Sequence, residues 1–184
     1  MVTIPAGAFL FLRHGQTESN AQELIIGSTD LPLNQTGHEQ ARQAADFLRG
    51  TALAQIISSP LLRARQTAEA AAEALQLPVT VLDGLAERNW GAWEGLPRTA
   101  LRRDETPPGG ESPQAFQART FAAFAGIDLA VPTLIVAHSG TDRVLHDRLA
   151  PGPHHRMENA AIRLWEPLMH GTQWNCHEYF KPGR

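Results

Sequence analysis

Short apolar runs alternate with segments of helical period along this chain. The runs at 8–12, 54–57, 79–82, 133–137 and 161–165 predict strands, and a less apolar run at 175–180 predicts a sixth. The run at 8–12 is apolar at every position, as expected of an inner strand covered on both faces. Helix starts fill the gaps between the strands. Thr36-Gly37-His38-Glu39 fits a capping box, in which hydroxyl and carboxylate satisfy the open N–H groups of the first turn. It predicts a helix to Arg49, with Gly50 as its stop. Ser59-Pro60 predicts an N-cap with proline at the first helical position, opening a helix to about residue 75. Ser112-Pro113 repeats the device before 114–124, and a shorter helix is expected at 142–149, stopped by Pro151-Gly152. The alternation predicts an α/β fold with a mainly parallel sheet. The expected loops are 97–111 and 151–155, and neither reads as a domain linker.

The length of 184 residues and a hydrophobic content of 42% suit one core, so 1–184 is expected to form a single domain. A net charge of −3 offers no basic face for nucleic acid. Of the 16 cations, Lys181 is the one lysine, so a phosphate clamp here would be built from arginine, whose planar fork matches phosphate oxygens. Cys176 is the one cysteine, which leaves no intrachain disulfide. No apolar stretch is long enough for a membrane span and the N-terminus has no signal-peptide pattern, so a cytoplasmic location is expected.

In an open α/β sheet, ligands bind beyond the carboxyl ends of the strands. Arg13 and His14 follow the first predicted strand. Ser58, Ser59 and then Arg63 follow the second, a loop with Glu87 follows the third, and His138, Ser139 and Gly140 follow the fourth. Taken singly, each is an ordinary turn or surface residue. Together they bring two imidazoles, two guanidiniums and a carboxyl group to one sheet edge. Two arginines near a helix N-terminus make an anion site. A histidine there can attack phosphorus, a second can donate to the equatorial oxygens, and a carboxyl group can protonate the leaving oxygen. Cations that neutralise the developing charge remove the need for a metal. The pair His154-His155 is adjacent in sequence, so its side chains point apart, and no metal or cofactor motif is found.

Five ordered segments carry a family resemblance. "LRHGQTESN", "GSTDLPLNQTGHEQA", "ISSPLLRARQTAEA", "LAERNWGAWEG" and "IVAHSG" resemble the histidine phosphatase superfamily, the phosphoglycerate-mutase-like group, and "PPGGES" matches a further landmark. The resemblance spans about residues 8–140 and implies a three-layer α/β/α sandwich without a cofactor. It implies that His14 is the nucleophile, that Arg13, Arg63 and His138 hold the phosphoryl group, and that Glu87 is the proton donor. Asn20 matches a position whose side chain reaches phosphate, while Gln16, Thr17 and Gly27 line the mouth in relatives. Ser139 departs from the family's usual glycine and would add a hydroxyl beside the phosphate. Gly15 is expected to let the backbone approach the anion closely and turn sharply.

Three functions fit this resemblance: a phosphatase for a small phosphorylated metabolite, a mutase, and an inactive phosphate-binding module. Mutases in the family carry a longer insertion between the acid loop and the second histidine. Here 50 residues separate Glu87 from His138, which favours hydrolysis. Substrate choice is expected to lie in Trp90, Trp93 and the 97–111 loop, with the tryptophans either stacking on a substrate ring or packing beside the acid loop. The sequence does not indicate an oligomeric state.

Overall fold

The computed structural model describes residues 3–168 and 173–183; residues 1, 2, 169–172 and 184 of the expected domain lie outside the described residues. The strands are β1 (Phe9–Arg13), β2 (Gln55–Ser58), β3 (Val79–Val81), β4 (Thr133–Ala137), β5 (Ile162–Pro167) and β6 (Trp174–Phe180). The α-helices are α1 (Glu18–Ala21), α2 (Gln35–Leu48), α3 (Leu62–Leu75), α4 (Pro113–Ala125) and α5 (Ser139–Leu149). The sheet runs β3-β2-β4-β1-β5-β6. Its pairs are parallel from β3 to β1, whereas β5 lies antiparallel to both β1 and β6. Among the described residues, no helix is long and apolar enough to cross a membrane.

The side-chain period of two divides β1 between two cores. Leu10 and Leu12 pack with Ala44 and Leu48 of α2 and Ala68 and Ala71 of α3. Phe9 and Phe11 pack with Phe124 of α4, Leu145 of α5 and Trp165 of β5. This is why the strand reads as an unbroken apolar run: it has no solvent face. On the second face Phe9 stacks on Trp165 with centroids 5.7 Å apart and meets Phe124 at 5.3 Å.

Connectivity then places the strand ends. The chain steps outward from β1 to β2 and β3 through α2 and α3 on one face. It returns through α4 on the other face to insert β4 between β1 and β2. Right-handed crossovers demand this change of face when the direction of travel reverses. Insertion of β4 makes it the partner of β1, with Arg13 opposite Ala137. The residues that follow, His14 and His138, are therefore neighbours.

Several helix starts differ from their expected positions. The cap of α2 is Asn34, not Thr36: Asn34 Oδ1 accepts the Gly37 N–H at 2.8 Å. Leu61 rather than Ser59 precedes α3, and it makes no side-chain cap. Instead Asp30 Oδ1, from a distant loop, accepts the Leu62 N–H at 2.5 Å, leaving Ser59 to bond His138. The cap at Ser112 is as expected, its side chain accepting from Ala115 N. Helix α5 begins three residues earlier than expected, with His138 at its N-cap position. The short α1 has no sequence-level counterpart; Thr17 and Asn20 close it with a reciprocal cap.

A buried ion pair joins α5 to β5. Asp142 Oδ2 accepts from Arg163 Nη1 at 2.6 Å and from His154 Nε2 at 2.7 Å, and Arg163 also donates to the His155 carbonyl. His154 is thus committed to Asp142, and the pair 154–155 shares no ligand. Asp142 is fully buried, so removing it strands a cation in the core. Asp142→Ala is expected to lose about 3–5 kcal/mol of stability, read by urea unfolding. A loss below about 1 kcal/mol would show that water reaches Arg163.

Candidate active site

The end of β1 is fastened on both sides. His14 N–H donates to Ala137 O at 3.0 Å, and Ala160 N–H donates to His14 O at 3.2 Å. The His14 ring is buried, and its Nδ1 lies 2.7 Å from the Gly15 carbonyl. A carbonyl only accepts, so Nδ1 carries the proton and Nε2 keeps its lone pair. Nε2 has no protein partner among the described residues. Gly15 serves a different purpose from the expected one. Its φ is not positive, and its N–H donates to Thr67 Oγ1 at 3.0 Å rather than being open to an anion. A Cβ there would stand 2.4 Å from the Gly37 carbonyl, so glycine is required by the close approach of α2.

Both arginines are held by carbonyls. Arg13 Nη1 donates to Met157 O at 2.6 Å, while Arg63 donates from Nη1 to Thr29 O at 2.9 Å and from Nη2 to Gly27 O at 2.7 Å. Glu94 sets those two acceptors by taking the backbone N–H groups of Ser28 and Thr29, each at 2.9 Å. Gly27 thus bears on the site through its carbonyl. The rings of His138 and His14 lie 5.2 Å apart, and His138 Nε2 is 2.6 Å from Ser59 Oγ. The Ser59 hydroxyl also accepts from Leu61 N–H; with its own proton donated to Nε2, the His138 proton sits on Nδ1. Three buried nitrogens lack a protein partner: Arg13 Nε, Arg63 Nε and His138 Nδ1.

Glu87 enters from the loop after β3. Its Oε1 accepts from its neighbour Arg88 N–H, and its Oε2 from Gly140 N–H in the first turn of α5, both at 2.9 Å. A Cβ on residue 140 would lie 2.0 Å from Glu87 Oε1, so this contact exists only with glycine. Arg119 braces the loop from behind. It forks onto Glu111 at 2.8 and 2.9 Å and donates to the carbonyls of Gly84, Ala86 and Glu87. Ser139, half-buried, opens α5 next to His138.

Of the remaining expected residues, Gln16 and Asn20 face a cleft beside Arg13. Asn20 Oδ1 accepts from Thr17 N–H at 3.2 Å and from Asn159 Nδ2 at 3.1 Å, so its own Nδ2 is the donor left for a ligand. Thr17 is fully buried as the α1 cap. Gln16 is fixed by Asn34 Nδ2 on its Oε1 and by Gln40 Oε1 on its N–H. Arg13, Gln16 and Asn20 line a cleft of about 280 Å³ together with Arg98, Arg156 and Asn159. Gly27, Thr17 and Ser139 do not line it, nor do His14, Arg63, Glu87 and His138, which lie beside Arg13 at its edge of the sheet. Trp90 is also absent from that lining; it is buried under Arg88, whose guanidinium sits 4.1 Å from the ring centroid, and is stacked with Trp93. Packing is therefore the tryptophan role seen here.

Asn159 is the main residue missed in the sequence. Its Nδ2 reaches the carbonyls of His14 and Gly15 as well as Asn20. It can do so because β5 runs antiparallel to β1, which brings the residues before β5 to the carboxyl end of β1. The next residue, Ala160, holds a left-handed φ of 54° in the core, a costly conformation for alanine.

Electrostatically the site is a buried cationic cluster. Burial pushes the His14 and His138 imidazoles well below the usual histidine range, and the Arg63 charge adds to the effect on both. Burial, followed by repulsion from Arg156 and Arg98, pushes Arg13 down to about 9. Such a pocket keeps its rings neutral at neutral pH while its guanidiniums stay charged, which suits a nucleophilic nitrogen facing an anion.

The chain as a whole is similar to known proteins. Residues 9–176 match the histidine phosphatase superfamily (branch 1). An uncharacterized phosphatase of Bacillus subtilis, PhoE, is 36% identical over 151 residues, covering 79% of this chain and 78% of its own. A mycobacterial glucosyl-3-phosphoglycerate phosphatase superposes with a TM-score of 0.79 at 27% identity, over 95% of this chain and 98% of that one. A phosphoglycerate mutase of Thermus thermophilus superposes with a TM-score of 0.78 at 29% identity, over 95% and 99% of the two chains.

The neutral rings have a consequence for stability. An unfolded histidine takes up its proton near pH 6.5, whereas His14 and His138 resist protonation until well below that in the fold. Below about pH 6.5 the unfolded chain thus binds more protons, and stability falls as pH drops toward the folded values. Each ring is expected to contribute a slope approaching about 1.4 kcal/mol per pH unit in that window. Urea unfolding from pH 7.5 to 5 should show a steeper fall in the native protein than in His14→Ala; parallel slopes would assign the protons to other groups.

Proposed function

The chain belongs to the histidine phosphatase superfamily, and from that premise we propose that it hydrolyses phosphomonoesters of small metabolites through a phosphohistidine at His14 Nε2. One observation carries the reading. The unprotonated Nε2 of His14 sits in a cluster with three buried nitrogens that have no protein partner, Arg13 Nε, Arg63 Nε and His138 Nδ1, the last a donor when Ser59 donates to His138 Nε2. Buried donors are ordinarily paired, and the equatorial oxygens of a phosphoryl group would pair these three.

In the first step His14 Nε2 attacks phosphorus in line, forming the P–N bond as the ester P–O bond breaks. The proton stays on Nδ1 and is donated to the Gly15 carbonyl, which stabilises the charge that develops on the ring. Glu87, held by two backbone N–H groups, gives its proton to the leaving oxygen. In the second step water attacks phosphorus, the P–N bond breaks, and Glu87 takes the water proton. Arg13, Arg63 and His138 stabilise the transferring group in both steps, and Asn20 Nδ2 supplies a further donor. Thr17, Gln16 and Gly27 act as positioning residues: the first caps α1, the second fixes the floor between α1 and α2, and the third orients Arg63 through its carbonyl. Ser139 adds a hydroxyl beside the second histidine.

The similarity to PhoE and to the mycobacterial phosphatase supports hydrolysis. The similarity to the Thermus mutase supports a second reading, in which the phosphohistidine returns its group to the substrate. Phosphate release separates the two readings.

The direct test uses p-nitrophenyl phosphate in the presence of EDTA. The wild-type protein is expected to release phosphate, because the arginines supply the charge stabilisation a metal would otherwise give, and His14→Ala should abolish release. Turnover that persists in His14→Ala would overturn the nucleophile; turnover lost to EDTA and restored by a divalent ion would overturn the charge assignment. Gly140→Ala probes the acid. An added methyl group ordinarily helps a helix by about 1 kcal/mol, but here it strikes Glu87, 2.0 Å away. This variant is expected to stay folded and lose about 100-fold in kcat. A kcat within threefold of wild type would dismiss Glu87 as the proton donor.

A further inference from the structure

Arg88 follows Glu87 directly in the chain and bonds two separate parts of the molecule. Its backbone N–H holds Glu87 Oε1, while its side chain, in a residue only 2% exposed, bonds a different segment. The guanidinium lies over Trp90 and donates to three carbonyls: Nε to Glu111 O at 3.0 Å, Nη1 to Arg103 O at 2.6 Å and Nη2 to Glu105 O at 2.6 Å. Burial lowers Arg88, but the charges acting on it, Glu111, Glu87 and Asp104, are all anions and keep it charged. The whole donor fork is thus committed to one loop.

That loop has a fixed half and an exposed half. Residues 107–111 pack tightly on the acid loop: Ala92 N–H donates to Pro108 O at 2.9 Å, Glu111 N–H donates to Asn89 O at 2.8 Å, and a Cβ on Gly91 would stand 2.2 Å from Pro108 O. Residues 102–106 are exposed and have no such backing. Among the described residues, the two bonds from Arg88 are the hydrogen bonds that join this stretch to the rest of the chain; the pair Arg102–Glu105 lies within it. The stretch nevertheless faces the second anchor of the acid. Residues 101–105 line a cleft of about 600 Å³ with Gly140, whose N–H holds Glu87 Oε2. Arg88 is therefore joined to Glu87 by its amide and to the wall opposite Gly140 by its fork.

We propose that Arg88 is a positioning residue for general acid catalysis, a latch that fastens the 102–106 wall to the acid loop and so keeps the Glu87 carboxyl between the Arg88 and Gly140 amides. The inference rests on the phosphatase reading for the role of Glu87, whereas the latch rests on the hydrogen bonds alone. Only a planar fork spans three carbonyls drawn from residues 103, 105 and 111. Lysine keeps the charge but concentrates its donors at one point, and a glutamine amide is shorter and uncharged. Either change leaves buried carbonyls unpaired and the wall free to move away from Gly140.

Leaving-group dependence tests the acid. The ratio kcat/KM reports phosphoryl transfer to His14, and phenyl phosphate needs the proton from Glu87 far more than p-nitrophenyl phosphate does. Arg88→Gln should lose about 50-fold in kcat/KM on phenyl phosphate and less than about fivefold on p-nitrophenyl phosphate. Equal losses on both esters would make Arg88 a residue of general stability and overturn the proposal. Two further measurements need no turnover. In Arg88→Gln, trypsin should cut after Arg102 or Arg103 about tenfold faster than in the wild type, and exchange of the Gly140 amide should rise about tenfold more than that of the β4 amides. If either stays at its wild-type rate, the latch is overturned whatever the protein releases. If both rise while the wild-type protein releases no phosphate from either ester, the latch is supported and the phosphatase reading fails. Arg88→Lys, the milder change, should fall between the wild type and Arg88→Gln in each measurement; wild-type behaviour throughout would show that charge alone suffices and overturn the role of the fork.

Discussion

The parallel ladder between β1 and β4 is the constraint on which the site depends. It fixes Arg13 opposite Ala137, so the two imidazoles that follow emerge from adjacent strands with their centroids 5.2 Å apart. Neither histidine has to be positioned by a flexible loop. The next strand on one side supplies Ser59, which bonds His138 Nε2, and the next on the other brings Asn159 to the His14 carbonyl. A shift of one residue in this pairing would turn each side chain to the opposite face. Continuous burial of both strands makes that shift prohibitively costly, and the same burial that stabilises the sheet therefore aligns the rings.

The anchoring of the cations follows a single logic. Arg13 and Arg63 are held by the carbonyls of Met157, Thr29 and Gly27, not by carboxylates. A carbonyl orients a guanidinium without cancelling its charge, so the full positive field remains available to a ligand. The cost is the desolvation of buried cations, visible in the lowered values of both arginines and both histidines. Loops far from the chemistry help to bear it: Glu94 holds the segment that presents Gly27 and Thr29, and Asp30 from the same segment caps α3, the helix that carries Arg63. One short loop thus anchors both the helix and the side chain it delivers.

The strands and the five central groups were legible in the sequence, because burial on both faces writes continuous apolar runs and open α/β sheets collect ligands at strand ends. Helix caps were less legible. Thr36 looked like the cap of α2, yet Asn34, two residues earlier, supplies the oxygen that the first turn uses. Ser59 looked like a cap, yet its hydroxyl was claimed by His138, 79 residues away. The supporting residues were hidden for the same reason. Asn159, Thr67 and Arg119 act through hydrogen bonds to backbone groups remote in sequence, which leave no local pattern. Gly15 was marked as a ligand-facing turn but is set by the proximity of α2, a tertiary fact.

Strand β5 enters the sheet upside down relative to its neighbour β1, which delivers Met157 and Asn159, from the last part of the chain, to groups that emerged with the first. During synthesis His14, Glu87 and His138 can all have left the ribosome while Arg13 still lacks its carbonyl and the His14 backbone its amide donor. The pocket is complete only once the final third has docked. A product terminated before residue 157 thus carries His14, Glu87 and His138 without the groups that orient Arg13 and the His14 backbone.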